Sequence, residues 1–290
     1  MDLGRIGVWL GGLAQAGAVE ESETAQELEE LGYGTLWFGE SGAGKEAFAH
    51  AALLLDATDR IAVATGIANI WLRGPVAAAN GAATIAEAHP GRFALGLGVS
   101  HPHVVARTGQ DYSRPLTRMR EYLDAMDAVP YLAAAPAEPA PLLLGALAPR
   151  MLELARDHAQ GAHPYLVTPE HSVRARATLG PDRVLAPEQG FVLETDPEQA
   201  RAAARAHLER YLVAVNYRNS WLRLGFEEPD FEDGGSDRLV DALVAWGDEE
   251  AVATRVAEHL AAGADHVALQ ALGADPLEEL RRLVPALDLS

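Results

Sequence analysis

His101 is one side chain whose type and neighbours could move a proton. It follows FALGLGVS (93–100), whose small residues let a flat ligand approach the backbone, and a free imidazole titrates near neutral pH. An exposed loop histidine is the plainer reading. Glu40 follows the run TLWFG, and Glu188 lies within VLAPEQGFVL. A carboxylate held in an apolar mouth is driven toward its neutral form and can act as a general acid or base; a solvated or helix-capping glutamate is the alternative for each. His163 and Tyr165, in GAHPY, invite the same two readings. The segment GALAPRM (145–151) is a small-residue turn with Pro149 at the opening of a helix. Unpaired N–H groups at a helix start suit a phosphate, and Arg150 adds a charge, although any strand-to-helix turn looks similar. His101 and His103 flank Pro102 like a two-histidine metal pair. No convincing further His or Asp ligands stand at other strand ends, so no metal is expected. Gly11-Gly12 lacks the spacing of a dinucleotide fingerprint.

Most of these candidates stand at or just beyond the end of a short apolar run. Eight such runs read as strands: Arg5–Leu10, Thr35–Gly39, Ile61–Gly66, Phe93–Gly98, Pro141–Gly145, Ala162–Val167, Val184–Leu193 and His266–Gln270. They are continuously apolar, as parallel strands covered on both faces are. Helical segments separate them at about Glu20–Leu31, Lys45–Ala57, Pro75–Ala88, Pro115–Leu132, Pro149–His158, Pro169–Leu179, Pro197–Val215 and Pro276–Leu287. Several open with proline, which is tolerated in the first turn because its missing donor is not needed there. Strand and helix alternating eight times predict a (β/α)8 barrel of one domain over residues 1–290, with a doubly wound open sheet as the alternative. In a barrel the active site lies at the carboxyl ends of the strands, where most of the candidates fall. Residues 216–247 break the pattern and read as an insertion, with a helix-like stretch at Arg238–Trp246; it serves either as a lid over the mouth or as an interface. Trp9, Trp37 and Trp71 read as barrel packing.

Composition narrows the function classes. Of 290 residues, 42 are Asp or Glu and 23 are Lys or Arg, a net charge of −19 that repels phosphate backbones and anionic membranes. No nucleic-acid or membrane partner is therefore expected. The absence of cysteine excludes a disulfide framework, an iron–sulfur cluster and a thiol nucleophile. With no signal-peptide pattern and no apolar run of spanning length, the expectation is a soluble, cytoplasmic protein.

Three stretches bear a family likeness: TGIANIWLRGP (65–75), PGRFALGLGVSHPHV (90–104) with RPLTRMREYLDAMD (114–127), and LLLGALAPRMLELARDHAQGAHPYLVTPEH (142–171). In this order and spacing the sequence resembles the luciferase-like monooxygenase superfamily, in its branch of oxidoreductases dependent on the deazaflavin coenzyme F420. The resemblance covers nearly the whole chain. It implies a non-prolyl cis peptide at Gly66-Ile67 backing the cofactor ring, with Asn69 in the same loop. It further implies a cleft lined by Gly98, Val99 and Ser100, and a phosphate-binding turn at Gly145, Ala146, Leu147 and Ala148. Hydride transfer between F420 and a small organic substrate is the implied reaction, with His101 or Glu40 handling the accompanying proton and His163, Tyr165 and Glu188 as substrate-pocket candidates. His101 stands where sugar-phosphate dehydrogenases of the family carry a glutamate. Their histidine and tryptophan after the second strand are missing, and Lys45 is the only lysine, so sugar-phosphate oxidation is not expected. An anionic cofactor on an acidic protein requires arginines at the cleft; Arg73, Arg107, Arg114, Arg118 and Arg150 are the candidates. A homodimer is expected by resemblance. The alternatives are a flavin-mononucleotide (FMN) monooxygenase of the same superfamily and a non-catalytic ligand-binding barrel.

Overall fold

The computed structural model describes residues 1–289, with His103 described in its backbone alone. The strands are β1 (Ile6–Trp9), β2 (Thr35–Phe38), β3 (Ala62–Thr65), β4 (Ala68–Asn69), β5 (Phe93–Gly98), β6 (Leu142–Leu144), β7 (Gly161–Ala162), β8 (Val184–Leu185), β9 (Glu188–Val192), β10 (Val244–Trp246) and β11 (Val267–Ala271). All pairings are parallel, in the order β10-β9-β11-β1-β2-β3-β5-β6-β7-β8, with β4 beside β5. Because β8 and β9 are two halves of one run, this order closes on itself. Val184 pairs with Gly161 on one side, while Glu188 pairs with Ala268 on the other. The seventh strand is interrupted at Ala186-Pro187, where the proline offers no ladder donor. Its neighbours still bridge the gap, with Ala186 N–H donating to Ala162 at 3.0 Å and Ala268 N–H to Pro187 at 2.9 Å. The expected (β/α)8 barrel is the fold.

The helices are α1 (Ala18–Glu30), α2 (Ala47–Asp56), α3 (Pro75–Ala88), α4 (Pro102–Val105), α5 (Pro115–Asp127), α6 (Pro149–His158), α7 (Pro169–Leu179), α8 (Pro197–Leu212), α9 (Val215–Arg223), α10 (Asp237–Leu243), α11 (Glu249–Ala261) and α12 (Pro276–Leu283). Side-chain caps start many of them. Asp196 takes the amides of Glu198 and Gln199 ahead of α8, Asp248 that of Ala251 ahead of α11, and Asp275 that of Glu278 ahead of α12. Each such cap typically contributes about 1 kcal/mol.

The barrel interior is built around one indole. Trp37 is fully buried, and Ala64, Ala94, Ala186 and Ala268 from other strands leave room for it. Its Nε1 donates to His266 Nε2 at 2.9 Å, and its ring stacks on His163 with centroids 4.3 Å apart. His266 in turn turns Nδ1 to the Gly4 carbonyl at 2.8 Å. Burial lowers the pKa of both histidines to about 4, which keeps them neutral and fixes the direction of these bonds.

Several segments differ from the reading of the sequence, the helix expected over Pro115–Leu132 ending already at Asp127. The sixth strand is only Gly161–Ala162, because the chain leaves the ladder at Pro164 and takes a left-handed turn at Leu166 (φ 53°). The helix expected over Pro197–Val215 stops at Leu212, and a second one starts at Val215. The helical run predicted for Arg238–Trp246 covers only Asp237–Leu243 before the strand-prone Val-Ala-Trp pairs with β9 as β10. Residues 216–247 are thus woven into the barrel wall. They bury Trp221, Phe226, Phe231 and Leu239 against Leu208 and Leu166 in a second apolar cluster. Among the described residues, no helix is long and apolar enough to cross a membrane.

Candidate functional site

The carboxyl ends of the strands surround a cleft of about 1640 Å³. A small-molecule pocket commonly measures roughly 300–1,000 Å³, so this one has room for two ligands together. Its floor includes the bond between Gly66 and Ile67, which is cis in the structure, as the resemblance implies. Just beyond it β4 pairs with β5, making a bulge. Gly66 has no space for a side chain: a Cβ there would sit 2.5 Å from Trp9 Nε1 and 2.8 Å from His163 Nε2. Trp9 Nε1 donates to the Gly66 carbonyl at 3.1 Å and ties the bulge to β1. Ile67 packs into space left by two more glycines, since a Cβ on Gly98 would come within 2.5 Å of its Cγ1 and one on Gly145 within 3.2 Å of its Cγ2. The result is a small apolar platform with flat walls.

Beside the platform, Gly145, Ala146, Leu147 and Ala148 lead into α6, where Pro149 occupies the first turn. Among the described residues, the amides of Ala146, Leu147 and Ala148 have no hydrogen-bond acceptor. Unclaimed donors at a helix N-terminus are a natural anion cradle. Arg150 from α6, Arg223 from α9, Arg107 and Arg210 also line the cleft. None of the four forms an ion pair among the described residues, in an acidic protein where most charged arginines elsewhere do. Glu20, Glu23 and Asp275 line another part of the cleft.

Gly66, Ile67, Gly98, Val99, Ser100, Gly145, Ala146, Leu147, Ala148, His101, His163 and Tyr165 all line this one cleft. Ser100 has a left-handed backbone (φ 57°), and its carbonyl accepts from the Tyr112 hydroxyl at 2.9 Å. His101 directly precedes α4, and its Nδ1 lies 3.2 Å from Asn216 Oδ1 on α9, so the inserted residues meet the fourth loop across the mouth. His163 is held by its Nδ1, 2.7 Å from the Ala186 carbonyl, and its Nε2 is left without a partner.

Other expected residues stand elsewhere. Glu40 borders the cleft, but both carboxylate oxygens are engaged: Arg73 forks onto them, with one contact at 2.7 Å, and the amides of Asn69 and Ala47 donate at 2.8 and 3.2 Å. The carboxylate is only 3% exposed and is tied into joining the loops after the second and third strands rather than free to carry a proton. Arg73 is spent on the same pair and on Glu46, which removes it from the cationic candidates. Asn69 is fully buried, with Oδ1 accepting from the Trp71 amide at 3.0 Å, and does not line the cleft. Glu188 is also fully buried outside the cleft lining; its Oε2 accepts from the Leu166 amide at 3.0 Å, and burial raises its pKa to about 8. The side chain of His103, half of the metal-pair reading, lies outside the described structure. Among the described residues, no three His, Asp or Glu side chains gather to hold a metal.

Trp9 reaches the cleft as well as packing the barrel, and Tyr211, Tyr217, Arg210, Arg223 and Gln270 join it unforeseen. The spacing carried a signal. His207, Arg210 and Tyr211 recur at three and four residues on α8, and Asn216, Asn219 and Arg223 at three and four on α9, each set sharing a helix face.

Residues 3–266 match the family model described as luciferase-like monooxygenase. A Mycobacterium tuberculosis protein named "Putative coenzyme F420-dependent oxidoreductase" is 25% identical, the match covering 97% of this chain and 99% of that one. The 5,10-methylenetetrahydromethanopterin reductase of Archaeoglobus fulgidus is 26% identical over 82% of this chain and 85% of its own. Among solved structures, an F420-dependent secondary alcohol dehydrogenase in complex with an F420–acetone adduct superimposes with a TM-score of 0.79, covering 99% of this chain and 98% of that chain at 16% identity, a likeness of fold.

Proposed function

This chain belongs to the luciferase-like monooxygenase family, and from that premise we propose that it is an F420-dependent oxidoreductase transferring a hydride between the deazaflavin and a small organic substrate. The observation that carries the reading is the pairing of two features in one cleft: the glycine-cleared platform at Gly66-Ile67 and, beside it, a helix start with three unclaimed amides flanked by arginines without acid partners. The first fits a flat ring and the second fits the anionic groups attached to it. When bound, the deazaflavin supplies the carbon that accepts or gives the hydride.

The chain's own groups do the rest. Gly66, Ile67, Gly98 and Val99 back the ring; Gly145, Ala146, Leu147, Ala148 and Arg150 hold the phosphate, with Arg223 closing from the insertion. Ser100, with its constrained backbone, aims the following residue. His101 takes the hydroxyl proton of an alcohol as its carbon–hydrogen bond gives up an electron pair, or returns a proton to a reduced product. Glu40 steadies the loops after the second and third strands. Tyr165 belongs to the substrate side, with Glu188 supporting it from behind, while His163 packs against Gly66 from the barrel interior. Residues 216–247 act as a fixed wall of the same domain.

The test is turnover with F420 by wild type and His101→Ala. The variant should keep its affinity for the cofactor and lose roughly 10²- to 10⁴-fold in kcat, the usual worth of a positioned acid or base. Equal turnover removes His101 from the reaction. FMN is the comparison cofactor, since the family's name covers monooxygenases, and a homodimer is tested by mass in solution.

A further inference from the structure

The substrate side of the cleft is walled by aromatic rings in unbroken contact. Trp9 from β1 meets Tyr165 at 5.4 Å between centroids, Tyr165 meets Tyr211 at 5.5 Å, Tyr211 meets Tyr217 at 5.1 Å, and Tyr217 meets His101 at 5.6 Å. All five line the cleft. The arc therefore crosses the mouth from the platform to the proposed proton carrier, taking its members from the first, fourth and sixth strand ends and from two helices.

We propose that this arc selects an uncharged, flat ring compound bearing a hydroxyl or carbonyl oxygen, with the ring against the aromatic wall and the oxygen held by the Tyr217 hydroxyl. The inference rests on the proposed function for its reaction, but not for its binding. Rings present large, rigid apolar area and favour stacked or edge contacts with other rings. The polar ends of the arc are largely spent on each other. Tyr211 donates to Tyr165 at 3.2 Å, and Tyr165 donates to Gln270 Oε1 at 2.7 Å. Among the described residues, the Tyr217 hydroxyl makes no hydrogen bond, which leaves it as the donor for an incoming oxygen. Its ring is held in place by stacking on Trp221, which is fully buried and donates its Nε1 to the Leu166 carbonyl at 3.2 Å. Burial keeps the Tyr217 phenol protonated well above its ordinary range. The cation touching the arc, Arg210, stacks on Tyr211 and donates to His207.

The experiment is calorimetric binding of four probes to the full chain: 2-acetylnaphthalene, 2-ethylnaphthalene, cyclohexanone and 2-naphthoate. The ring ketone should bind at least about tenfold tighter than cyclohexanone and 2-naphthoate. Tyr217→Phe should weaken the ring ketone roughly 2- to 10-fold, the worth of one neutral hydrogen bond, and leave 2-ethylnaphthalene unchanged. The inference is overturned if cyclohexanone or 2-naphthoate binds as well as the ring ketone, or if the variant weakens both uncharged naphthalenes alike. F420 is titrated separately. Ring-ketone binding without F420 binding sinks the proposed function and leaves this inference standing; the reverse result sinks this inference alone.

Discussion

Replacing Glu188 by glutamine should stabilise the protein at neutral pH. The side chain is fully buried, one oxygen accepts a single backbone N–H from Leu166, and the other has no partner. Burial raises its pKa from 4.5 to about 8. Each unit of that shift corresponds to about 1.4 kcal/mol of preference for the neutral form. The folded state thus holds its proton more tightly than the unfolded chain. The stability this contributes is complete below pH 4.5 and is lost as pH rises toward 8. At pH 7 the loss reaches ~3 kcal/mol, a large share of the ~5–15 kcal/mol that holds a domain together. Glutamine keeps an acceptor for Leu166 and never ionises. Urea denaturation of wild type and Glu188→Gln across the pH range should therefore show a gap of ~3 kcal/mol near pH 7 that closes toward pH 4.5. Taking the difference between the two proteins matters. His163, His171, His207, His259 and His266 are all lowered by burial, to values between about 3 and about 4. They make both proteins lose stability as pH falls below 6.5, and that loss cancels in the difference. A gap that is constant with pH, or a variant weaker than wild type at pH 7, refutes the reasoning.

Three further outcomes follow from the cleft. Glu40→Gln removes one charge of the buried pair with Arg73, which keeps Glu46, and should cost about 1.5–3 kcal/mol in urea denaturation; the folded fraction should keep kcat near wild type, whereas a kcat loss like that of His101→Ala would return Glu40 to proton transfer. Gly98→Ala drives a methyl into Ile67, so F420 affinity by fluorescence titration should fall at least about tenfold, and unchanged affinity would mean that the platform is not the ring site. Arg150→Ala and Arg223→Ala should each weaken F420 binding roughly 10- to 100-fold, the worth of a hydrogen bond to a charged group. That loss should shrink at high salt, and salt-independent losses would point to packing instead.

The barrel was legible because its grammar is local. Pro75, Pro149 and Pro169 each mark the first residue of a helix, and the runs TLWF and FALGLG carry their strands in place. What was not legible depends on distant partners. Glu40 reads as a free acid until Arg73, thirty-three positions on, folds onto it. Val244–Trp246 follows a helical pattern in the chain, and only the open edge of β9 draws it into the sheet. The aromatic arc as a whole has no sequence signature, since Trp9, Tyr165, Tyr211 and Tyr217 lie on four different segments and meet only in the fold. Arg223 escaped notice for a related reason. In the chain the segment holding it reads as an insertion, and only the packing of Trp221 fixes its helix at the mouth.

The most direct measurement is equilibrium binding of the purified protein to oxidised F420 and, separately, to FMN, followed by fluorescence. F420 should bind at micromolar concentration or tighter, and FMN at least about tenfold more weakly. Tighter binding of FMN would place the protein among the flavin monooxygenases of its family, and binding of neither would contradict a redox cofactor in this cleft.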